Sequence, residues 1–406
     1  MNNDIPRLTP RRIALYSVAA FGGGVFYAFN NFVLPLILPS NNTLLVNLMS
    51  NTRSIEGAIV QPVVGAWSDR IWTRLGRRRP FMLVAIPISA LAMALTPLAP
   101  SLAATVGFIV LFSLLFNVAA DPYNALQGDI APPGQRPYLN AVATVVGFVG
   151  QIAFGLFIAL GPFGKHIPLL VYPLAAALIA ASFLVTVATV RERRQDVHLE
   201  PRRPLGEYVV SLRAHRQAMR YLMAMFLFNV GINTIQVNLT RYATRVLGVS
   251  DGDAVLLAMI LLLITALFTI PAAWVARRLG LKATIMAGMA LMAVAACGAI
   301  VATTMAQVVP LMVLAGIGNA TLTLTWPLLT LLVPQERLGV FAGLGASAGS
   351  ISALFSGFIA ALIVDHWGYR SIFLILLVAI AASLVAFSTI KVARGTAQPL
   401  GAPTQL

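Results

Sequence analysis

Twelve apolar stretches, each long enough to cross a lipid bilayer, occupy most of this 406-residue chain. About 20 apolar residues at helical rise span the hydrocarbon core, and only a helix satisfies its own backbone hydrogen bonds there. The sequence therefore predicts an all-α membrane protein with twelve transmembrane helices. The predicted spans are 13–38, 43–66, 81–98, 103–128, 138–160, 168–190, 219–240, 254–275, 284–305, 308–332, 340–363 and 371–390.

The positive charges are distributed unevenly between the two sides of these spans. The termini and alternate connections hold 23 of the 28 Lys and Arg residues, and a net charge of +15 results. Loops rich in Lys and Arg stay in the cytoplasm, which predicts that both termini are cytoplasmic. We therefore expect the basic loops to contact anionic lipid at the cytoplasmic face of a cell (plasma or inner) membrane, and expect no nucleic-acid partner.

One connection is much longer than the others and divides the spans six and six. This Arg-, Glu- and Pro-rich segment predicts two pseudo-symmetric six-helix bundles joined by a cytoplasmic linker, and we expect the protein to be monomeric. The last residues are polar and predicted to be disordered. The predicted domains are 1–190, the linker 191–217, 218–394 and the tail 395–406.

Polar side chains at steps of three and four residues mark one face of spans 1, 2, 4, 5, 7 and 10, whereas spans 3, 6, 9 and 12 are almost wholly apolar. Nested repeats around a central cavity produce such a three-helix period. Any single amide can equally serve as a hydrogen bond between helices. The predicted substrate-binding residues are Arg53, Gln61, Tyr27, Asn30, Asn31, Asn117, Asn124, Asn140, Gln151, Asn229, Asn233, Gln236 and Trp326.

The loop after span 2 carries the most specific motif, in which Gly65, Asp69 and Arg70 are followed by Gly76, Arg77 and Arg78. It resembles the signature loop of the major facilitator superfamily, with three extra residues before the second glycine. The resemblance implies the twelve-helix fold of that family, an ion pair between Arg70 and Asp129, and a contact of Asp69 with the start of span 11. We expect these residues to latch the two halves in the outward-open state.

Two further motifs narrow the resemblance. Residues 61–81 and the segment from Asp121 to Asp129 are similar to the branch of melibiose-type cation symporters and sucrose–proton symporters. Melibiose-type carriers hold sodium with carboxylates at positions that match Gly57 and Gln61 here, and sucrose carriers have an Arg in span 5 that this chain lacks. Sodium coupling is therefore not expected, and a sugar substrate is implied by the resemblance alone.

Only Glu56 and Asp121 place a carboxyl group inside the predicted membrane region, where an ionisable residue is a functional candidate. Asp121 precedes Pro122, which removes a backbone donor and can open the helix. Glu56 lies three residues after Arg53, on the same helix face. The pair can neutralise itself, or Arg53 can bind substrate while Glu56 takes a proton; Asp121 can carry protons or bond a neighbouring amide.

These observations predict a secondary transporter working by alternating access, with proton-coupled uptake of a small neutral polar solute such as a sugar or glycoside. Proton-driven efflux of an amphipathic compound and facilitated uniport are the alternatives. No enzyme activity, cofactor or metal site is predicted, because the spans contain no paired His and the segment from Gly161 to Lys165 lacks the spacing of a P-loop.

Overall fold

The structure, a computed structural model, describes residues 7–38, 42–132, 135–163, 166–192, 215–333 and 338–391. Most of the predicted linker and the whole predicted tail lie outside these residues. Twelve long helices are present within the described part of the chain. They are α1 Pro10–Ile37, α2 Thr43–Arg70, α3 Arg79–Leu95, α4 Leu102–Ile130, α5 Arg136–Leu160, α6 Val171–Thr189, α7 Arg216–Val246, α8 Asp251–Leu279, α9 Leu281–Val301, α10 Met305–Leu332, α11 Leu338–Trp367 and α12 Ser371–Ser388.

Eleven of these described helices are long and apolar enough to cross a membrane. The exception is α2, which has 28 residues but whose sequence includes Arg53, Glu56, Asp69 and Arg70. Two helices are locally irregular: α1 contains a π-helical turn at Phe29–Val33, and α10 contains a 3₁₀ turn at Thr321–Leu324. Such turns interrupt the regular backbone hydrogen bonding and often mark functional regions.

Local chemistry accounts for several helix ends. The side chains of Thr9, Asn42, Ser101 and Ser250 accept hydrogen bonds from backbone N–H groups three residues later, which caps α1, α2, α4 and α8. Helix α8 also has two Asp residues in its first turn and two Arg residues in its last, an arrangement that complements the helix dipole.

The helices pack in a pattern that repeats with an offset of six. In the first half, α1 to α6, the main pairs are α1–α5, α1–α6, α2–α4, α3–α4 and α3–α6. In the second half, α7 to α12, they are α7–α11, α7–α12, α8–α10, α9–α10 and α9–α12. Each half therefore has the same internal arrangement. The halves meet chiefly through α2 against α11 and α5 against α8, two pairs that the same offset interchanges.

Successive helices run in opposite directions, so the molecule has two ends. The linker end carries residue 10, the α2–α3 loop, the end of α6 and the start of α7; the far end carries the α1–α2 and α7–α8 connections. Helix α7 continues to Val246, so Arg241 belongs to the helix, where its side chain is buried, and not to a loop after residue 240. The predicted end of this span was therefore wrong by about two turns.

Candidate functional site

The largest of three cavities described here lies inside the first half. Its volume is about 320 Å³, and α1, α4 and α5 supply most of its lining. Four of the predicted substrate-binding residues line it: Tyr27, Asn124, Asn140 and Gln151. The side chains of Asn124 and Asn140 are exposed, and Tyr27 is 38% exposed, so amide and hydroxyl groups are available to a polar molecule in this cavity.

A second cavity, of about 210 Å³, occupies the equivalent place in the second half. It lies between α7, α10 and α11, the helices that correspond to α1, α4 and α5, and two further predicted residues, Asn229 and Trp326, line it. The indole of Trp326 is 50% exposed. An aromatic face beside an amide offers both stacking and hydrogen bonding to a bound solute.

The two cavities are bordered by related tyrosine contacts. The rings of Tyr16 and Tyr123 stack at 4.7 Å, and each hydroxyl donates to the backbone carbonyl of the other residue at 3.2 Å. In the second half the Tyr221 hydroxyl donates to the Thr325 carbonyl at 2.9 Å. Each contact joins the first and fourth helices of its half, beside Pro122 or Pro327. The sequence analysis did not identify Tyr16 or Tyr221.

A third, smaller cavity of about 100 Å³ lies mainly inside the second half, with Phe32 and Gln151 of the first half at its edge, and is mostly apolar. Gln151 lines this cavity as well as the first-half cavity, and Gln236, Asn319 and Phe32 also contribute to it. Gln151 therefore connects the polar first-half cavity with the apolar wall of the second half. The apolar lining includes Ile232, Ile235, Met292, Met312, Phe373 and Leu376.

Other predicted amides lie between helices. Asn30 is 3% exposed and donates to the Ser50 carbonyl of α2, and the Asn233 amide donates to the Ser352 hydroxyl of α11 at 3.1 Å. Asn117 is 1% exposed on α4, and Asn31 is half-buried in the π-helical turn of α1. A role of these four in substrate binding stays a prediction.

The two intramembrane carboxyl groups are both partly buried. Glu56 faces Ser113 of α4, but among the described residues neither carboxyl oxygen of Glu56 accepts a hydrogen bond. Asp121 lies two turns further along α4, between the cavity-lining residues Ala120 and Tyr123, and its Oδ2 is buried. The side chains of Arg53 and Gln61 lie outside the described residues, so the predicted pairing of Arg53 with Glu56 stays a prediction.

Part of the predicted latch is visible at the linker end. Asp129, 4% exposed, accepts hydrogen bonds from the Nε groups of Arg77 at 2.9 Å and Arg78 at 3.3 Å. Arg78 also donates to the Ser68 hydroxyl. The side chains of Asp69 and Arg70, and the surroundings of Gly65, lie outside the described part of the chain, so the Arg70–Asp129 pair and the Asp69 contact stay predictions.

Glu192 completes this cluster, and the sequence analysis did not identify it. Its carboxylate accepts hydrogen bonds from the backbone N–H groups of Arg77, Arg78 and Arg79 at 2.7–3.0 Å, at the N-terminus of α3. A negative charge there is stabilised by the free N–H groups and the helix dipole. Gly76 turns the chain with a φ of +106°, and a Cβ at Gly76 would lie 2.5 Å from the Glu192 carboxyl carbon. The loop therefore requires glycine at this position.

Similar proteins were found by both sequence and structure. Residues 44–372 match the family described as MFS/sugar transport protein. A proton-associated sugar transporter A of Rattus norvegicus is 30% identical over 212 residues, and the sucrose transport protein SUC3 of Arabidopsis thaliana is 32% identical over 120 residues. These segments cover 46% and 24% of this chain, but only 27% and 20% of the two relatives.

Solved transporter structures share the fold. A D-xylose–proton symporter superposes with a TM-score of 0.67 at 19% identity, covering 93% of this chain and 98% of that one. The nucleoside transporter NupG superposes with a TM-score of 0.71 at 12% identity, covering 94% and 99%. Together with the signature loop, the sequence match over most of the chain establishes that this protein belongs to the MFS/sugar transport family of the major facilitator superfamily.

Proposed function

We propose that the protein is a secondary active transporter that couples the uptake of a small neutral polar solute, such as a sugar or glycoside, to protons by alternating access. In this proposal all twelve helices cross a plasma or inner membrane, both termini are cytoplasmic, and residues 1–190 and 218–394 form the two moving halves. The names of the relatives, which include sucrose and proton-associated sugar transporters, favour this class of solute.

The observation that carries the proposal is that helix α4 lies beside both a polar cavity and two partly buried carboxyl groups, its own Asp121 and Glu56 of α2. Helix α4 presents Asn124 to the first-half cavity, holds Asp121 beside it, and packs Ser113 against Glu56 of α2. Hydroxyl and amide groups in the cavity suit a polyhydroxylated solute. A carboxyl group that can gain and lose a proton inside the membrane supplies a means of coupling.

Proton-driven efflux of an amphipathic compound is the second candidate. The apolar cavity of the second half favours it, since Met292, Met312 and Phe373 would accept a hydrophobic group while Gln151 of the first half contacts a polar one. The two candidates differ in the direction of the proton gradient that makes a solute accumulate inside a vesicle: inward for coupled uptake, outward for exchange against protons.

Uptake by proteoliposomes distinguishes these functions. The purified full-length protein would be supplied with radiolabelled sucrose, a set of neutral monosaccharides and methyl glycosides, each with and without a proton gradient directed inward. We expect at least one solute to accumulate against its own gradient and to be released by a protonophore. Equilibration of a solute without an effect of the gradient would contradict coupling and indicate a uniporter, and no uptake of any of them would contradict the sugar proposal.

A further inference from the structure

Polar groups from both halves, five side chains and one backbone carbonyl, meet at the far end of the molecule. They belong to α1 and α2 of the first half and to α7 and α11 of the second half. Three contacts are described: Asn47 with Asn238, Arg241 with Pro35, and Thr43 with Asp365. We call these six residues the far-end clasp.

The centre of the clasp is a reciprocal amide pair between α2 and α7. Asn47 donates to Oδ1 of Asn238 at 3.2 Å, and Asn238 donates to Oδ1 of Asn47 at 2.8 Å. Each amide uses its second N–H within its own helix, toward the Thr43 and Thr234 carbonyls respectively. Both side chains are 0% exposed. The pair is therefore fully hydrogen-bonded only while the two halves touch at this end.

The other two contacts extend the clasp toward the end of the bundle. Arg241 of α7 is 5% exposed and donates through Nε to the Pro35 carbonyl at 2.6 Å, in the last turn of α1. The hydroxyl of Thr43, the first residue of α2, donates to the Asp365 carboxylate near the end of α11. The contacts thus join α2 to α7 and to α11, and the last turn of α1 to α7.

An apolar seam lies on the opposite flank of the same end. A Cβ on Gly252 of α8 would lie 2.9 Å from the Ala159 carbonyl oxygen of α5, and a Cβ on Gly155 would meet the Met259 side chain. The Ile167 amide of the α5–α6 connection donates to Asp251 of α8 at 3.1 Å. The halves are therefore in contact on both flanks of the far end, whereas the first-half and second-half cavities lie toward the linker end.

We propose that the far-end clasp is the gate that holds the transporter closed at its far end, and that Asn47 and Asn238 are its central positioning residues. The proposal rests on the alternating-access part of the proposed function. Opening the far end must separate α2 from α7, so the two amide hydrogen bonds break together and water replaces each partner. Loss of either amide removes both hydrogen bonds across the halves and leaves the other amide incompletely satisfied in the closed state.

Cysteine reactivity measures this gate without any solute, and the sequence contains one cysteine, Cys297. In a Cys297→Ser background, Leu48→Cys reports on the far end, because Leu48 packs near Gly357 of α11. Thr144→Cys reports on the first-half cavity toward the linker end. Labelling rates with a polar maleimide would be compared for Asn47→Ala, Asn238→Ala, the double variant and Asn51→Ala. Asn51 is the matched control, since its buried amide donates to the Asn47 carbonyl within α2, and no hydrogen bond from it to the second half is present among the described residues.

We expect labelling at Leu48→Cys to rise about tenfold in Asn47→Ala and in Asn238→Ala, since two hydrogen bonds are lost in either variant. The double variant should add little, because each single change already breaks the pair. Asn51→Ala should leave the rate within about twofold, and labelling at Thr144→Cys should not rise in any of them.

Equal far-end rates in all variants would overturn the gate. A rise at both reporters would overturn it as well, because it would show that the amides hold the fold together and do not set the balance between two states. The outcome is independent of which solute is carried, so a failed sugar screen and a failed gate are separate results.

Discussion

Two acidic residues, the buried Asp129 and the partly buried Glu56, have very different surroundings. Asp129 lies against two guanidinium groups, Arg77 and Arg78, as a structural carboxylate usually does. Glu56 faces the Ser113 hydroxyl, and among the described residues neither of its carboxyl oxygens accepts a hydrogen bond of regular geometry. A charge in such a place costs several kcal/mol unless it is paired or neutralised by a proton. This contrast favours Glu56, and not Asp129, as a group that exchanges protons during transport.

Replacing Glu56 with Gln keeps the shape of the side chain and removes its proton exchange. We expect gradient-driven accumulation of solute to be lost in Glu56→Gln, while equilibration without a gradient is retained. Uptake into proteoliposomes at two external pH values would show this, with Asp253→Asn as a control, because the Asp253 carboxylate lies in the first turn of α8 at the far end, where it accepts a hydrogen bond from the Ser250 hydroxyl. If Glu56→Gln accumulates solute normally and Asp121→Asn does not, the coupling group is on α4 instead.

The sequence identified the chemistry of the site better than its contacts. Glu56, Asp121 and the cavity amides could be named because polar residues are conspicuous in apolar helices. Glu192 could not, because its role depends on the end of α6 lying beside the start of α3, which are distant in sequence. Arg241 follows the predicted span 219–240 and was therefore expected in a loop. In the structure α7 continues past it, and Arg241 is buried with its Nε donating to the Pro35 carbonyl of α1.

At the scale of helices, α1 and α5 approach each other closely through glycines. A Cβ on Gly24 would lie 1.9 Å from the Gly147 carbonyl oxygen and 2.7 Å from the backbone nitrogen of Gln151. A Cβ on Gly150 would lie 2.2 Å from the Phe21 carbonyl oxygen. All of these contacts lie within the first half. They hold together two of the helices that line the first-half cavity, and they place Gln151 against α1.

Adjacent glycines on α1 provide a direct test. The space beside Gly23 is empty within 4 Å, whereas a Cβ at Gly24 meets the α5 backbone. We expect Gly24→Ala to destabilise the protein by about 1–3 kcal/mol, because the α5 backbone must move. Gly23→Ala should be neutral or slightly stabilising, since alanine favours a helix more than glycine does. Thermal unfolding in detergent would measure both, and equal melting temperatures would refute the close contact.

The order and nature of the helices were largely predictable, because lipid permits few alternatives to a helix for an apolar span. Eleven described helices qualify as spans, and the irregular turns within α1 and α10 could not be foreseen from hydropathy. The pairing of helices depends on tertiary packing. The predicted three-helix period nevertheless agrees with this packing. The main contacts between the halves come from α2, α5, α8 and α11, and none of these is one of the apolar helices α3, α6, α9 and α12.

At the scale of the whole molecule, the far end is closed by two different kinds of contact. The clasp supplies hydrogen bonds on the α2 and α11 flank, and the glycine seam supplies close backbone contact on the α5 and α8 flank. In the proposed alternating-access cycle each half moves as a unit, and contact at one end is tied to separation at the other. Loosening either flank should therefore favour the state that is open at the far end.

The glycine seam tests this coupling independently of the clasp. Gly252 lies in the first turn of α8, and Gly252→Val would place a branched side chain against the Ala159 carbonyl of the opposite half. We expect the far end to open more often, with labelling at Leu48→Cys several-fold faster and labelling at Thr144→Cys slower. Gly107→Val is the control, because the space beside Gly107 on α4 is empty within 4 Å. If Gly252→Val changes neither rate, the two flanks do not act on one equilibrium. Helices α7 and α8 belong to the same half, so a half that moves as a rigid body cannot be displaced at α8 without also moving α7 away from Asn47 of α2.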